Sequence, residues 1–485
     1  MYMPDNTIFV PVTDPNLVPE RTPNKQLPIE DRLGGFGEIE RTYTSEQAAN
    51  EAARCLRCPT HWCAKACPAG VPVTEFIAKA REGDFESAYR LIRTASMLPE
   101  MCSRVCPQER QCQSNCTRSI RTQAVGIGRL ERYVVEQHYA SGKGEAQARS
   151  TGKKVAVVGS GPSGLSAAQR LADKGHSVTV YERSDRPGGL MEYGIPNMKL
   201  EKGVVARKID AMKAQGVTFK TGVNVGVDIS AADLITLYDA VILCVGTGNA
   251  RTLKLEGTEN IRGIYPAVDF LASTTKSLMD SGLTDGKNIS AKGKKVVIVG
   301  GGDTGSDCVG TALRNGCAGI TQIEMLPKQV GRTIIHDPRP QREKEGKTDH
   351  SQEECRAVFG GDPHVYQTTV KAVQANESGD LQSITVVELE PVYDKQFRLT
   401  MKERPGTERI IPCDMLVVAA GFLGPCAYVA ERFGVETDGR SNILGYATNT
   451  AKVFACGDCR TGQSLVVKAM TDGRNCADAV CDYLK

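Results

Sequence analysis

Two stretches of this chain share one construction. GKKVAVVGSGPSGLSAAQRLADKGHSVTVYE and GKKVVIVGGGDTGSDCVGTALRNGCAGITQIE each run an apolar strand into Gly-x-Gly-x-x-Gly, then a helix, then a strand ending in glutamate. The glycines are Gly159, Gly161 and Gly164 in the first and Gly300, Gly302 and Gly305 in the second, 141 positions on. A glycine triplet alone says little. With strand, helix and acidic strand end in register, it constrains each stretch to a βαβ unit that holds a dinucleotide. The leading glycines let backbone approach a pyrophosphate, and the third lets helix and strand pack. Phosphate then meets the free N–H groups of a helix N-terminus. Glu182 and Glu324 stand where a carboxylate accepts from a ribose 2′-OH.

Around the first loop, Pro162 and Ser163 open the helix, Arg183 follows Glu182, and Gly189-Leu190 and Gly246 lie in small-residue turns. Near the C-terminus, strand Val453–Ala455 runs into Gly457-Asp458, with Gln463 and Ser464 where another helix starts. Asp303 and Thr304 open the helix of the second loop. Cys456 and Cys459 form a C-x2-C inside a turn, a poor setting for a metal or redox dithiol. Two dinucleotide sites in one chain point to a nicotinamide and a flavin, since one gives hydride and the other splits it into single electrons. Glu324 would repel a 2′-phosphate, which favours NADH over NADPH, although Lys328 and Arg332 lie just beyond.

Ahead of both loops, eight of the 18 cysteines fall at 55, 58, 63, 67, 102, 106, 112 and 116. The helical stretch between the two groups breaks at Gly83-Asp84, which predicts two helices with the groups on flanking loops. Structural zinc would also account for eight thiolates. The prolines after Cys58, Cys67 and Cys106 and the crowded gaps of the first group favour iron–sulfur ligation. A flavin favours it further, because zinc carries no electrons. Spacing leaves open which cysteines share a cluster. Glu131, on a later helical stretch, reads locally as a solvated carboxylate.

At 485 residues the chain predicts two or three domains. Sixty Lys and Arg against 57 Asp and Glu, with one Trp, exclude a dedicated nucleic-acid surface. No apolar run approaches the ~20 residues of a spanning helix. The start, MYMPDNTIFVPVTDPNL, lacks a secretion signal, so the expected location is cytoplasmic. The polar insert 331–362 is expected to be a surface loop. His336, His350, Cys355 and His364 are too scattered to suggest a metal.

RCLRC, CPAGVPV, VCPQERQCQSNC, GSGPSGLSAA, DRPGGLMEYGIPNMKLEK, GGGDTGSD, AAGFLGP and ACGDCRTGQSLVV together span the chain. On these motifs it resembles the small, or beta, subunits of glutamate synthases. That family sits within the flavin and iron–sulfur NAD(P)H oxidoreductases that include the N-terminal part of dihydropyrimidine dehydrogenase. The fold class expected is α plus α/β. A helical iron–sulfur domain (1–153) would precede two Rossmann-like domains of glutathione-reductase type. The FAD domain would comprise 154–285 and 414–485, with an NAD(P)H domain (286–413) inserted into it. The resemblance implies FAD at the first loop, NADH or NADPH at the second and two [4Fe–4S] clusters. It implies Cys55, Cys58, Cys63 and Cys116 on one cluster, and Cys67, Cys106, Cys112 and Glu131 on the other, with Cys102 the alternative to Glu131. Hydride transfer between cofactors needs no catalytic acid or base, so none is assigned. The implied role is electron input to a large subunit carrying glutaminase and FMN sites, which makes L-glutamate from L-glutamine and 2-oxoglutarate. The same motifs suit an NAD(P)H:ferredoxin-type, electron-bifurcating or dihydropyrimidine dehydrogenase-type reductase with a ferredoxin-like acceptor.

Overall fold

The computed structural model describes residues 20–485 apart from 146, 254, 256, 257, 259, 329–348, 395 and 397. The N-terminal part is helical: α1 (Ile29–Leu33), α2 (Ser45–Ala53), α3 (Trp62–Lys65), α4 (Val73–Arg81), α5 (Phe85–Arg93), α6 (Pro99–Val105) and α7 (Ile127–Ala140). The break between α4 and α5 falls at Gly83-Asp84, where the Asp84 carboxylate accepts from Ser87 N at 3.0 Å and caps α5. Phe76, Ile92, Met101 and Leu130 of these helices are fully buried. Each such side chain contributes roughly 1.5–3 kcal/mol by leaving water.

The first nucleotide unit is β1 (Lys154–Val158), α8 (Pro162–Asp173), β2 (Ser177–Glu182), α9 (Leu190–Tyr193), α10 (Lys202–Ala214), β3 (Thr218–Thr221), α11 (Ala231–Leu237) and β4 (Ala240–Leu243). The chain then crosses at β5 (Asn249–Ala250) into β6 (Ile264–Pro266), α12 (Ala267–Ser281), β7 (Lys295–Val299), α13 (Asp303–Arg314), β8 (Gly319–Glu324), α14 (His350–Phe359) and β9 (His364–Tyr366). An antiparallel group follows, β10 (Thr368–Ala375), β11 (Leu381–Tyr393), β12 (Leu399–Glu403) and β13 (Arg409–Pro412), and β14 (Met415–Val418) rejoins the second sheet. The return runs through β15 (Phe422–Gly424), α15 (Ala427–Phe433), β16 (Val453–Ala455), α16 (Asp458–Thr461) and α17 (Val466–Tyr483).

The strand orders are β16-β4-β1-β2-β3 and β6-β14-β7-β8-β9, all parallel. Parallel strands covered by helices are buried on both faces, which is why Val155–Val158 and Met415–Val418 read as unbroken apolar runs. The two crossings lie side by side, because β5 pairs antiparallel with β15. Strands β6 and β14 belong to the second sheet, so that sheet begins before residue 286 and ends after residue 413.

The helical part is not a separate bead. Its core is continuous with that of the first sheet and with Met470, Cys476 and Val480 of α17. Glu136 of α7 accepts from Arg104 of α6 at 2.8 Å and from both terminal nitrogens of Arg207 of α10 at 2.8 Å. Within the expected polar loop, residues 331–348 lie outside the described residues, while 350–359 form α14. Asp349 and Gln352 make a reciprocal cap, and Glu354, from the polar insert, is fully buried against Arg314. Among the described residues, no helix is long and apolar enough to cross a membrane.

Candidate nucleotide sites and the cysteine domain

At the first loop, Gly159 leaves β1 at φ +99°, and its N–H bonds the carbonyl of Tyr181 at 2.8 Å. A side chain at Gly164 would place Cβ 1.9 Å from the Gly159 carbonyl oxygen, so only glycine lets α8 start here. Beside Gly161 the space is open. Helix α8 begins at Pro162 with no side-chain cap, leaving its first N–H groups for an anion. Gly189 brings the 186–190 loop against Gly161, while Leu190 and Arg183 are exposed.

The C-terminal turn reaches the same place. A Cβ at Gly457 would lie 2.3 Å from Ser163 Oγ, and one at Gly473 would lie 2.1 Å from the Ser163 carbonyl oxygen. Asp458 accepts from Ser464 Oγ at 2.7 Å, and burial raises its carboxyl above its ordinary value. Gln463 Oε1 accepts from Phe422 N at 2.8 Å, tying this turn to the β15 crossing. Gly246, at φ +64°, lies in the turn after β4.

The second loop repeats the geometry. Gly300 has φ +125°, Gly305 would place a Cβ 2.0 Å from the Gly300 carbonyl oxygen, and Gly302, Asp303 and Thr304 are exposed. Buried Gln322 donates to the Gly300 carbonyl at 2.9 Å, and Gln352 donates to Gln322 Oε1 at 3.0 Å and Ser306 Oγ at 2.9 Å. No sequence motif announces this pair. Amides without a motif carried no signal.

The two glutamates differ in what they have left to offer. Glu182 is buried and accepts from Ser160 N (3.0 Å), Ser160 Oγ (2.5 Å) and Ser184 N (2.8 Å). A carboxylate offers about four acceptor positions, so one remains. Glu324 is half-buried and accepts from Gly301 N (2.9 Å) and Leu326 N (2.8 Å), leaving about two. Both brace their own glycine loop and keep acceptor capacity for a ribose hydroxyl. These open helix starts and acidic strand ends fit a dinucleotide at each loop.

In the helical domain, Cys55, Cys58, Cys63 and Cys116 line one cleft with Trp62, Val73 and Ile77. Burial pushes the Cys55 thiol up to about 11 and Cys63 up to about 12. Glu131 is half-buried rather than solvated, and burial pushes its carboxyl up to about 8. Its charge adds to burial in raising Cys67 and Cys112. Cys106 is raised first by a hydrogen bond with Cys102. Cys102 is buried in the core, its Sγ 3.9 Å from Met470 Sδ. Elsewhere, His350 faces Glu40 at 3.6 Å, His364 faces Asp362 at 2.8 Å and Cys355 is in the core, so these three do not converge. His336 and Arg332 lie outside the described residues, and Lys328 is exposed. Cys456 and Cys459 are buried, with Cys456 Sγ 3.3 Å from Cys244 Sγ.

Residues 32–143 match the family described as dihydropyrimidine dehydrogenase domain II, 4Fe-4S cluster. Residues 153–473 match the pyridine nucleotide-disulphide oxidoreductase family. The glutamate synthase [NADPH] small chain of Bacillus subtilis is 37% identical over 467 residues, covering 93% of this chain and 94% of that one. The chain belongs to the glutamate synthase small-chain family. Its members here are NAD(P)H-dependent flavin oxidoreductases within an iron–sulfur group. Glutamate synthase [NADH] of Schizosaccharomyces pombe is 38% identical over 458 residues, but these cover 92% of this chain and only 22% of the yeast protein. A solved structure of FprA from Mycobacterium tuberculosis shares the fold, with TM-score 0.52 at 20% identity over 68% of this chain and 84% of that one.

One expectation attached to the family is corrected by the geometry. Among the described residues, no group of three or more His, Cys, Asp or Glu side chains is drawn together so that it could hold a metal ion. The two [4Fe–4S] clusters expected on Cys55, Cys58, Cys63 and Cys116, and on Cys67, Cys106, Cys112 and Glu131 or Cys102, do not fit this arrangement. The physical reason is burial. Cys55, Cys63, Cys67, Cys106, Cys112 and Cys116 pack against the apolar core, whereas a ligand set needs side chains that converge on one point.

Proposed function

We propose that this small-chain relative takes electrons from NADH and delivers them, through FAD, to a large partner subunit that makes L-glutamate from L-glutamine and 2-oxoglutarate. The observation that carries NADH is Glu324. Its carboxylate keeps free acceptor positions at the strand end, and the three residues that follow, Met325, Leu326 and Pro327, bring no cation to a 2′-phosphate, the first described cation beyond them being the exposed Lys328. FAD held at the first loop would supply a hydride acceptor able to release electrons one at a time. The chain's own residues position. Gly159, Gly161 and Gly164 with Pro162 and Ser163 would hold the flavin nucleotide's pyrophosphate, with Glu182 at its ribose. Arg183, Gly189, Leu190, Gly246, Gly457, Asp458, Gln463 and Ser464 would surround the rest. Gly300, Gly302, Asp303, Thr304 and Gly305 would hold the nicotinamide nucleotide, with Glu324 selecting it.

A large partner is supported by the relatives. The matching stretch is 94% of a small chain in Bacillus subtilis and 22% of a longer glutamate synthase in Schizosaccharomyces pombe. A reductase serving another acceptor is the second reading, favoured by 35% identity over 481 residues to the putative oxidoreductase AegA of Escherichia coli. Copurification of the native complex, followed by assay of NADH oxidation, separates the two. Dependence on both glutamine and 2-oxoglutarate supports the first reading, and oxidation indifferent to both supports the second.

A further inference from the structure

Three consecutive residues of the first nucleotide unit, Asn197, Met198 and Lys199, each fasten a different part of the molecule. Asn197 Nδ2 donates to the carbonyl of Phe36 at 2.8 Å, and Ile39 N donates to the carbonyl of Met198 at 3.0 Å. Both hold the segment that leads from α1 to α2. That segment is tied in turn to the nicotinamide side, where Arg314 of α13 donates to the Gly35 carbonyl at 2.9 Å and Arg32 pairs with Glu353 of α14 at 3.2 Å. Met198 packs on α13 so closely that a Cβ at Gly310 would lie 2.4 Å from its methyl carbon.

Lys199 completes the joint. Its Nζ lies 2.7 Å from Asp307 Oδ1 of α13 and 2.9 Å from Asp349 Oδ2, the cap of α14. Burial alone would lower the Lys199 ammonium, but the two carboxylates hold it above its ordinary value and therefore charged. The other end of this stretch is anchored to the flavin loop. Lys202 N donates to Asn197 Oδ1 at 2.9 Å, and Lys202 Nζ donates to the carbonyls of Met191 (2.8 Å) and Ile195 (2.6 Å). The preceding Gly189 rests on Gly161. A continuous chain of contacts therefore runs from one glycine loop to the helix of the other.

We propose that Lys199 is a positioning residue for hydride transfer, holding the two nucleotide units at one working separation by clamping Asp307 and Asp349. The proposal rests on the reading that a nicotinamide nucleotide reduces FAD within this chain. Removing the ammonium leaves two largely buried carboxylates facing each other without a counter-charge, which drives α13 and α14 away from the flavin side. Reacting atoms held even 1 Å out of place lose rate by about 10²-fold.

The test compares full-length FAD-loaded wild type with Lys199→Met, Lys199→Arg and Asp307→Asn, using anaerobic stopped-flow flavin reduction and hydrogen exchange. The Met variant is expected to keep its FAD and its NADH dissociation constant, while the limiting reduction rate falls by about 10- to 100-fold. Amides of residues 27–40 and 350–359 are expected to exchange faster in that variant without any nucleotide added. Lys199→Arg is expected to restore both, and Asp307→Asn to reproduce the rate loss if the Met variant fails to fold. A Met or Asn variant with an unchanged limiting rate overturns the proposal, as does a rate loss that Arg does not rescue or that is explained by lost FAD. A wild type that NADH and NADPH both fail to reduce refutes the underlying function instead.

Discussion

Glu182 and Glu324 occupy equivalent strand ends, yet their surroundings give them different work. Glu182 spends three acceptor positions on Ser160 and Ser184. Glu182→Ala leaves the two buried Ser160 donors without this partner, at about 1–3 kcal/mol each. The expected result is a lowered melting temperature and a purified protein short of FAD, read by flavin absorbance per chain. Glu324 is freer, so Glu324→Ser is expected to cut the NADH-over-NADPH ratio of kcat/KM by about tenfold, equivalent to roughly 1.4 kcal/mol. Steady-state kinetics with both nucleotides checks it. These glutamates and glycines were legible in the sequence because backbone geometry demands those residue types at fixed spacing. Gln322, Gln352 and Lys199 were not. Their partners lie 22 to 150 residues away and no local pattern announces them. The cysteine groups were visible at once, but spacing cannot reveal that most of these side chains pack against an apolar core.

At the scale of elements, close backbone approach does more than any one side chain to place the first site. Helix α17 meets α8 at Gly473, where a Cβ would lie 2.1 Å from the Ser163 carbonyl oxygen. Gly473→Ala is therefore expected to cost about 1–3 kcal/mol by overpacking and to weaken FAD retention. Gly203→Ala, at an open position of α10, is the control and is expected to hold or raise stability. Thermal unfolding with and without added FAD distinguishes the two. The βαβ units were readable because propensity, turn chemistry and apolar runs agree there. Helix α14 was not, because its charges resemble a solvated run until Arg314 of α13 is seen to bury Glu354. The place of β6 in the second sheet was hidden for a similar reason. Its three residues carry little pattern, and pairing with β14 decides their membership.

For the whole molecule, the helical domain and the first sheet share one core, and Glu136 joins them through Arg104 and Arg207. Burial opposes ionisation of Glu136, but Arg207 and Arg104 prevail and hold its carboxyl at about 2. The folded value lies below the unfolded one of about 4.3, so the contribution is complete above that pH and is lost as pH falls toward 2. Urea unfolding followed across this window should show a steeper loss of stability in wild type than in Glu136→Gln. The joined cores and the contacts of Lys199 with Asp307 and Asp349 tie the two glycine-loop units to one another. The most direct test is anaerobic reduction of the FAD-loaded chain by NADH and by NADPH, followed by loss of oxidised-flavin absorbance. Full reduction by one equivalent of NADH is expected, faster and at lower concentration than by NADPH. Preference for NADPH, or a flavin that neither nucleotide reduces, would contradict it.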